Sequence, residues 1–148
     1  MSIRRCYIFD LDGTLTNGAH RVHHILKSPK DWDTYFSLAG DDAPHWHIIE
    51  LAQRLALTSA AIVYVSGRSD VCREATVAWM KKHHLPDGPL FMRAAGDHRN
   101  DDILKIEMLA EVRAEGFDPI MAFDDRDRVV AAWRAAGIPC AQVAAGSF

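Results

Sequence analysis

The chain has 148 residues, a length that suits one domain burying about two-thirds of its unfolded surface. Apolar residues make up 49% and charged residues 25%, as in an ordinary globular protein, and a net charge of −3 argues against a broad basic face that coats nucleic acid. Cys6, Cys72 and Cys140 are odd in number and far apart, no apolar leader opens the chain and no stretch reaches bilayer length. The expectation is a cytoplasmic protein with reduced thiols, no disulfide or zinc framework and no membrane partner.

The first predicted strand is the apolar run over residues 5–11, which leads into Asp10-Leu11-Asp12-Gly13-Thr14. Residues two apart in a strand share a face, so Asp10 and Asp12 are expected to emerge together at its C-terminal end, where open α/β sheets place ligands. Two carboxylates held there repel unless a cation relieves them, and Mg2+ is the usual ion for a few carboxylates plus a phosphate oxygen.

Residues 17–43 offer no strand and are rich in His, Pro, Asp and Trp. A short helix is predicted over 32–38 and a longer one over 44–57. Coming directly after the first strand, the stretch 17–57 is expected to overhang the site as a small helical cap. His20 and His24 stand one helical turn apart, but no third ligand at a recognised zinc spacing accompanies them. All four tryptophans read as core or cap packing, and Trp32 or Trp46 could also stack on a terminal base.

The next strand, 60–66, runs into Ser66-Gly67-Arg68: a hydroxyl, a glycine that lets backbone approach closely, and a guanidinium at a helix start, all of which favour an anion. A helix over 70–83 carries Val71, Ala75, Ala78 and Trp79 at helical spacing, and a short strand over 90–92 follows. Asp101 and Lys105 are one turn apart at the start of a helix over 103–115, so they can pair on one face. A lysine near two aspartates would neutralise charge on a transferring phosphoryl group. The strand over 119–124 ends in Asp124-Asp125-Arg126-Asp127, acids that are costly together unless a cation shares them. A helix over 126–136 and a strand over 141–144 complete the chain. Strands alternating with helices predict a single α/β domain over 1–148, built on a doubly wound, mostly parallel sheet.

Taken in order, the Asp-x-Asp-Gly-Thr strand, Ser66, Lys105 and the pair Asp124-Asp125 resemble the four motifs of the haloacid dehalogenase (HAD) superfamily of phosphotransferases. Ser66-Gly67-Arg68, the Gly-Asp-x-Arg-x-Asp-Asp-x-x-Lys run ending at Lys105, Phe123-Asp124-Asp125-Arg126 and the ending over 133–144 with Gly146 and Phe148 are similar to the 3′-phosphatase domain of bacteriophage polynucleotide kinase/phosphatase. That resemblance implies a Rossmann-like HAD fold and Mg2+-dependent removal of a 3′-terminal phosphate from DNA or RNA ends. By the same resemblance, Asp10 is the nucleophile that becomes an aspartyl-phosphate, and Asp12 serves as acid and then base. Mg2+ is held by Asp10, Asp124 and the Asp12 backbone carbonyl, with Asp125 acting through a water or as a further ligand. Thr14, Ser66, Gly67 and Lys105 surround the phosphoryl group, Asp101 orients Lys105, and Arg68 and Arg21 hold the phosphate or the adjacent backbone. The implied partners are a 3′-phosphorylated nucleic-acid end or nucleotide and a separate 5′-kinase or ligase, because no Gly-x-x-x-x-Gly-Lys-Ser/Thr loop is present. A phosphatase of free nucleotides or other small monoesters would use the same residues, and a silent binding subunit would keep only the fold.

Overall fold

The computed structural model describes residues 2–148. In chain order its elements are β1 (Arg4–Phe9), β2 (Thr16–Asn17), α1 (Ala19–Leu26), α2 (Trp32–Ser37), β3 (Ala43–Pro44), α3 (Trp46–Leu55), β4 (Ala61–Ser69), α4 (Arg73–Lys82), β5 (Leu90–Arg93), α5 (Asp101–Ala114), β6 (Phe117–Asp124), α6 (Asp127–Ala135) and β7 (Cys140–Gln142). Five strands form one sheet in the order β5-β4-β1-β6-β7, with every pairing parallel; β2 and β3 form a separate antiparallel pair. The chain winds outward from β1 through β4 to β5, then returns to lay β6 on the other side of β1. That reversal opens the crevice at which such sheets bind ligands, between the ends of β1 and β6.

Alternation along the strands explains why both faces are covered. Ile8, Val63, Val65 and Ala122 point to one face, where Leu104 and Met108 of α5 and Trp133 of α6 join the core. Their neighbours Phe9, Ile62, Tyr64 and Phe123 point to the other, packed with Ile49 and Ala52 of α3 and Trp79 of α4. Strands buried on both faces read as near-continuous apolar runs, which is how β1, β4 and β6 stand out in the sequence.

Four local expectations are corrected. The strand expected over 5–11 stops at Phe9, because the Leu11 carbonyl accepts the amides of Thr14, Leu15 and Thr16 and folds the chain into a turn. Asp10 and Asp12 therefore lie in a loop beyond the strand, and strand alternation does not align their side chains. The strand expected over 60–66 continues to Ser69, which pairs with Arg93 after a register break beyond Val65. Arg68 is thus a strand residue, and the helix expected over 70–83 begins after Ser69 with a 3-10 turn, Asp70–Cys72, that leads into α4. Finally, α3 is a core helix of the sheet rather than part of an overhang, since Ile49 and Ala52 are fully buried against β1 and β4. What stands after β1 apart from the sheet layers is α1, α2 and the β2–β3 pair; α1 carries Val22, Ile25 and Leu26 at helical spacing, whereas the two-residue strands are too short to carry a pattern. Among the described residues, no helix is long and apolar enough to cross a membrane.

Candidate active site

The ends of β1 and β6 bring three acids together. One carboxylate oxygen from each of Asp10, Asp124 and Asp125 lies within 4.8 Å of the others, and all three residues are buried. The Asp10 amide donates to the Phe123 carbonyl (3.0 Å), so parallel pairing itself sets Asp10 beside Asp124. Lys105, from the first turn of α5, reaches into the cluster, its Nζ 2.7 Å from Asp10 Oδ1 and 2.8 Å from Asp124 Oδ2. Asp124 is held further by the amide of Asp125 (2.9 Å) and by the indole N–H of Trp133 (3.4 Å). The Thr14 hydroxyl donates to Asp10 Oδ2 (3.0 Å).

Burial, followed by the neighbouring charge of Asp124, pushes the Asp10 carboxyl well above its ordinary range even though Lys105 opposes the shift. Burial also raises Asp125. Lys105 moves the other way from a lone buried lysine: burial would lower it, but Asp10 and Asp124 outweigh burial and hold it protonated. Three acids facing one ammonium leave an excess of two negative charges in a buried site, which matches one divalent cation. All-oxygen donors suit Mg2+, which binds through a few carboxylates and keeps positions for phosphate and water. The backbone also leaves room for such a cluster. Gly13 has φ +84°, and a Cβ there would lie 2.1 Å from Asp125 Oδ2.

The Asp12 carboxylate is not among the three. It accepts from Arg68 Nη2 (2.6 Å) and Arg21 Nη2 (2.9 Å) through Oδ1 and from Arg68 Nε (3.2 Å) through Oδ2. Burial works to raise it, but Arg68 first and Arg21 after it hold it below the ordinary carboxylate range. Its side chain remains 37% exposed, far more open than Asp10 at 6% or Asp124 at 2%.

Both arginines are shared with Asp42, a residue that the sequence reading passed over. The Asp42 side chain is fully buried and accepts from Arg21 Nε (2.7 Å), Arg21 Nη2 (2.8 Å) and Arg68 Nη2 (3.0 Å). His20 lies against it at 2.8 Å, and the Trp79 indole donates to its carbonyl (2.7 Å). Arg21 is itself wholly buried on α1, and Arg68 also donates to the Thr76 hydroxyl (2.9 Å). The expected roles of Arg21 and Arg68 in holding phosphate are thus met by a different first duty, fixing Asp12. The only hint of Asp42 in the sequence is an acid between two predicted helices, a pattern shared with many solvated turns.

Asp101 does not orient Lys105. Its carboxylate accepts from Arg93 Nη2 (2.5 Å) and Arg126 Nη1 (3.0 Å), while the Lys105 ammonium donates to Asp10 and Asp124. One helical turn permitted the pairing, but a buried lysine meets two buried acids before a half-exposed one. Asp101 instead packs on the C-terminal end of β4, where a Cβ on Gly67 would lie 2.4 Å from its Oδ1. Ser66 is fully buried, and its hydroxyl accepts the Arg68 amide (3.0 Å). Of the residues singled out from sequence, Asp10, Thr14, Lys105, Asp124 and Asp125 meet in one cluster, and Asp12, Arg21 and Arg68 in an adjoining one. Asp101 belongs to a third group, with two arginines that the sequence did not flag.

A family model described as the polynucleotide kinase PNKP phosphatase domain, of HAD type, matches residues 4–148. A putative bifunctional polynucleotide kinase/RNA ligase of Autographa californica nuclear polyhedrosis virus is 32% identical over 137 residues, which cover 91% of this chain and 18% of the viral protein. The structure superposes on a chain of the Pnkp1/Rnl/Hen1 RNA repair complex with a TM-score of 0.85 and 28% identity, over 99% of this chain and 44% of that one. The class C acid phosphatase of Bacillus anthracis shares the fold (TM-score 0.66, 14% identity, 97% of this chain and 70% of that one). The chain therefore spans less than a fifth of the viral relative and less than half of the repair-complex chain. With nearly every residue matched, and with the acids of β1 and β6 facing Lys105 across the sheet's switch point, the chain belongs to the HAD-type phosphatase-domain family of polynucleotide kinase PNKP.

Proposed function

We propose that this domain removes the terminal 3′-phosphate from DNA or RNA ends in a Mg2+-dependent reaction that passes through an aspartyl-phosphate on Asp10. The observation that carries the reading is the position of Asp10: a buried carboxylate with one oxygen on Lys105 (2.7 Å) and the other on Thr14 (3.0 Å), beside Asp124 and Asp125. Asp10 and Asp124, with the Asp12 main-chain carbonyl and with Asp125 directly or through a water, would hold Mg2+, whose charge would keep Asp10 ionised and draw electron density from the phosphoryl oxygens.

In the first displacement, an Asp10 oxygen forms the bond to phosphorus while the bond to the sugar oxygen breaks. Lys105, Thr14 and Ser66 surround the phosphoryl oxygens, and Gly67 lets the backbone approach them. Asp12 is the most open acid of these two clusters and gives the proton to the departing 3′-oxygen. In the second displacement it takes a proton from the water that attacks the aspartyl-phosphate, the two transfers together being worth about 10²–10⁴ in rate. The ion pairs of Asp12 suit its role as base. Its role as acid requires the incoming phosphate to draw on the same guanidinium groups, so Arg21 and Arg68 link phosphate arrival to the proton on Asp12.

The product is a 3′-hydroxyl, the group that a ligase uses as nucleophile. The names of the relatives pair this domain with polynucleotide kinase and RNA ligase, which supports action alongside a 5′-kinase or ligase before strand sealing. The test is phosphate release from a 3′-phosphorylated oligonucleotide and from a 3′-mononucleotide, with Mg2+ and with chelator. The oligonucleotide should be the better substrate, chelation should stop the reaction, and Asp10→Asn should abolish it. A clear preference for the mononucleotide would favour a phosphatase of free nucleotides, and substantial turnover by Asp10→Asn would refute Asp10 as nucleophile.

A further inference from the structure

Two tryptophans, Trp32 at 45% and Trp46 at 55%, are strongly exposed, whereas Trp79 and Trp133 are buried. Single exposed apolar residues are ordinary, so exposure alone decides nothing. Their surroundings differ. Trp46 opens α3 beside His83 and lines a shallow groove of about 440 Å³ with Glu50, Gln53, Arg54 and Leu57; its contacts run through His83 and Trp79 to the Asp42 carbonyl, and so reach no group that bonds the Asp12 carboxylate directly.

Trp32 instead ends a chain of contacts that begins at Asp12. Arg21 bonds Asp12 and lays its guanidinium over the Tyr35 ring, 4.3 Å from the centroid. Tyr35 meets Trp32 edge-on (5.7 Å, 88°), and Phe36 stacks near it (5.7 Å, 26°). The Lys30 ammonium stands 5.8 Å from the Trp32 ring centre. The bonds from Arg21 to buried Asp42 anchor the guanidinium on which the Tyr35 ring rests. An exposed indole linked through Tyr35 and Arg21 to Asp12, with a lysine beside it, combines the two elements by which proteins hold single strands: a stacking surface and a backbone cation.

Resting on the function proposed above, we propose that Trp32 is a stacking platform for a nucleobase in the last two nucleotides of the 3′-phosphorylated strand. Tyr35 and Phe36 brace the indole, and Lys30 meets the phosphate between those nucleotides. The platform makes a base, and not only a phosphate ester, part of what the domain recognises.

The experiment compares a 3′-phosphorylated hexanucleotide with the same strand lacking its two terminal bases, in the parent protein, Trp32→Ala and Trp32→Phe. The parent should show a KM about tenfold higher for the abasic strand, the size expected for one stacked base. That ratio should fall to about one in Trp32→Ala and return in Trp32→Phe. In parallel, the hexanucleotide should quench indole fluorescence in the parent and much less in Trp32→Phe. Equal KM values for the two strands in the parent would overturn the platform while leaving the 3′-phosphatase reading intact, as would a ratio unchanged by Trp32→Ala. Absence of turnover on any 3′-phosphorylated strand would overturn both.

Discussion

Replacing Lys105 with methionine keeps the length of the side chain and removes the one ammonium that faces three buried acids. The structure sets the size of the effect. Lys105, Asp10 and Asp124 expose only 3%, 6% and 2% of their side chains, so water cannot take over from the lost cation. The cheapest response is for the folded protein to bind one further proton on the cluster. An aspartate that titrates near about 3.9 when unfolded costs about 4 kcal/mol to protonate at about pH 7, within the range of about 3–5 kcal/mol for breaking a buried ion pair. The sign follows from the direction of the shifts. Burial and then Asp124 already hold Asp10 high, burial raises Asp125, and losing Lys105 raises them further. Such groups favour the folded state at low pH and lose that advantage as pH climbs towards their folded values. The penalty of Lys105→Met should therefore grow by about 1.4 kcal/mol for each pH unit above the ordinary aspartate range, until the pH reaches the raised folded values. Urea denaturation of parent and variant across that range, in chelator, measures it directly, and added Mg2+ should shrink the difference. A penalty under about 1 kcal/mol, or one flat in pH, would refute the reasoning that Lys105 is the compensating charge.

Gly13→Ala places a methyl at a positive φ and into the space of the Asp125 carboxylate. Titration calorimetry should show Mg2+ affinity reduced at least about tenfold, because a backbone strain of about 1–2 kcal/mol adds to the displacement of Asp125. Unchanged affinity would mean that Asp125 plays no part in holding the ion. Asp42→Asn leaves Arg21 and Arg68 buried with Asp12 as their one remaining acid, so urea denaturation should show a loss of about 3 kcal/mol. A loss confined to a few tenths would show that Asp12 alone suffices to hold both guanidinium groups.

Much of the architecture is legible because its physics is local. Ile8, Val63, Val65 and Ala122 sit in apolar runs bounded by turns, and the helices between them carry the 3.6-residue period, so a doubly wound parallel sheet follows from the sequence with no tertiary information. Asp10, Asp124 and Lys105 were readable for a related reason: each sits at the end of a strand or in the first turn of a helix, where the fold class itself dictates convergence. Other features depended on contacts that no local pattern carries. Arg21 is buried on a helix that leaves its apolar Val22 and Leu26 exposed, and what satisfies it is Asp42, which lies 21 residues further on. Local spacing offered Asp101 only Lys105 as a partner, since Arg93 arrives from the end of β5 and Arg126 from the residue that caps α6. The early stop of β1 was decided by the single carbonyl of Leu11, which captures three amides at once.

Lys105 and Asp10 are separated by 95 positions in the chain, and Asp124 joins them only through the side-by-side docking of β1 and β6. No fragment short of nearly the whole domain can assemble the centre, so a proteolytic nick that releases either strand should silence it outright rather than weaken it. A ribosome-bound nascent chain is equally inert until its sixth strand has emerged. The mutual repulsion of the acids falls on that late docking step, so dissolved divalent ions should hasten the end of folding.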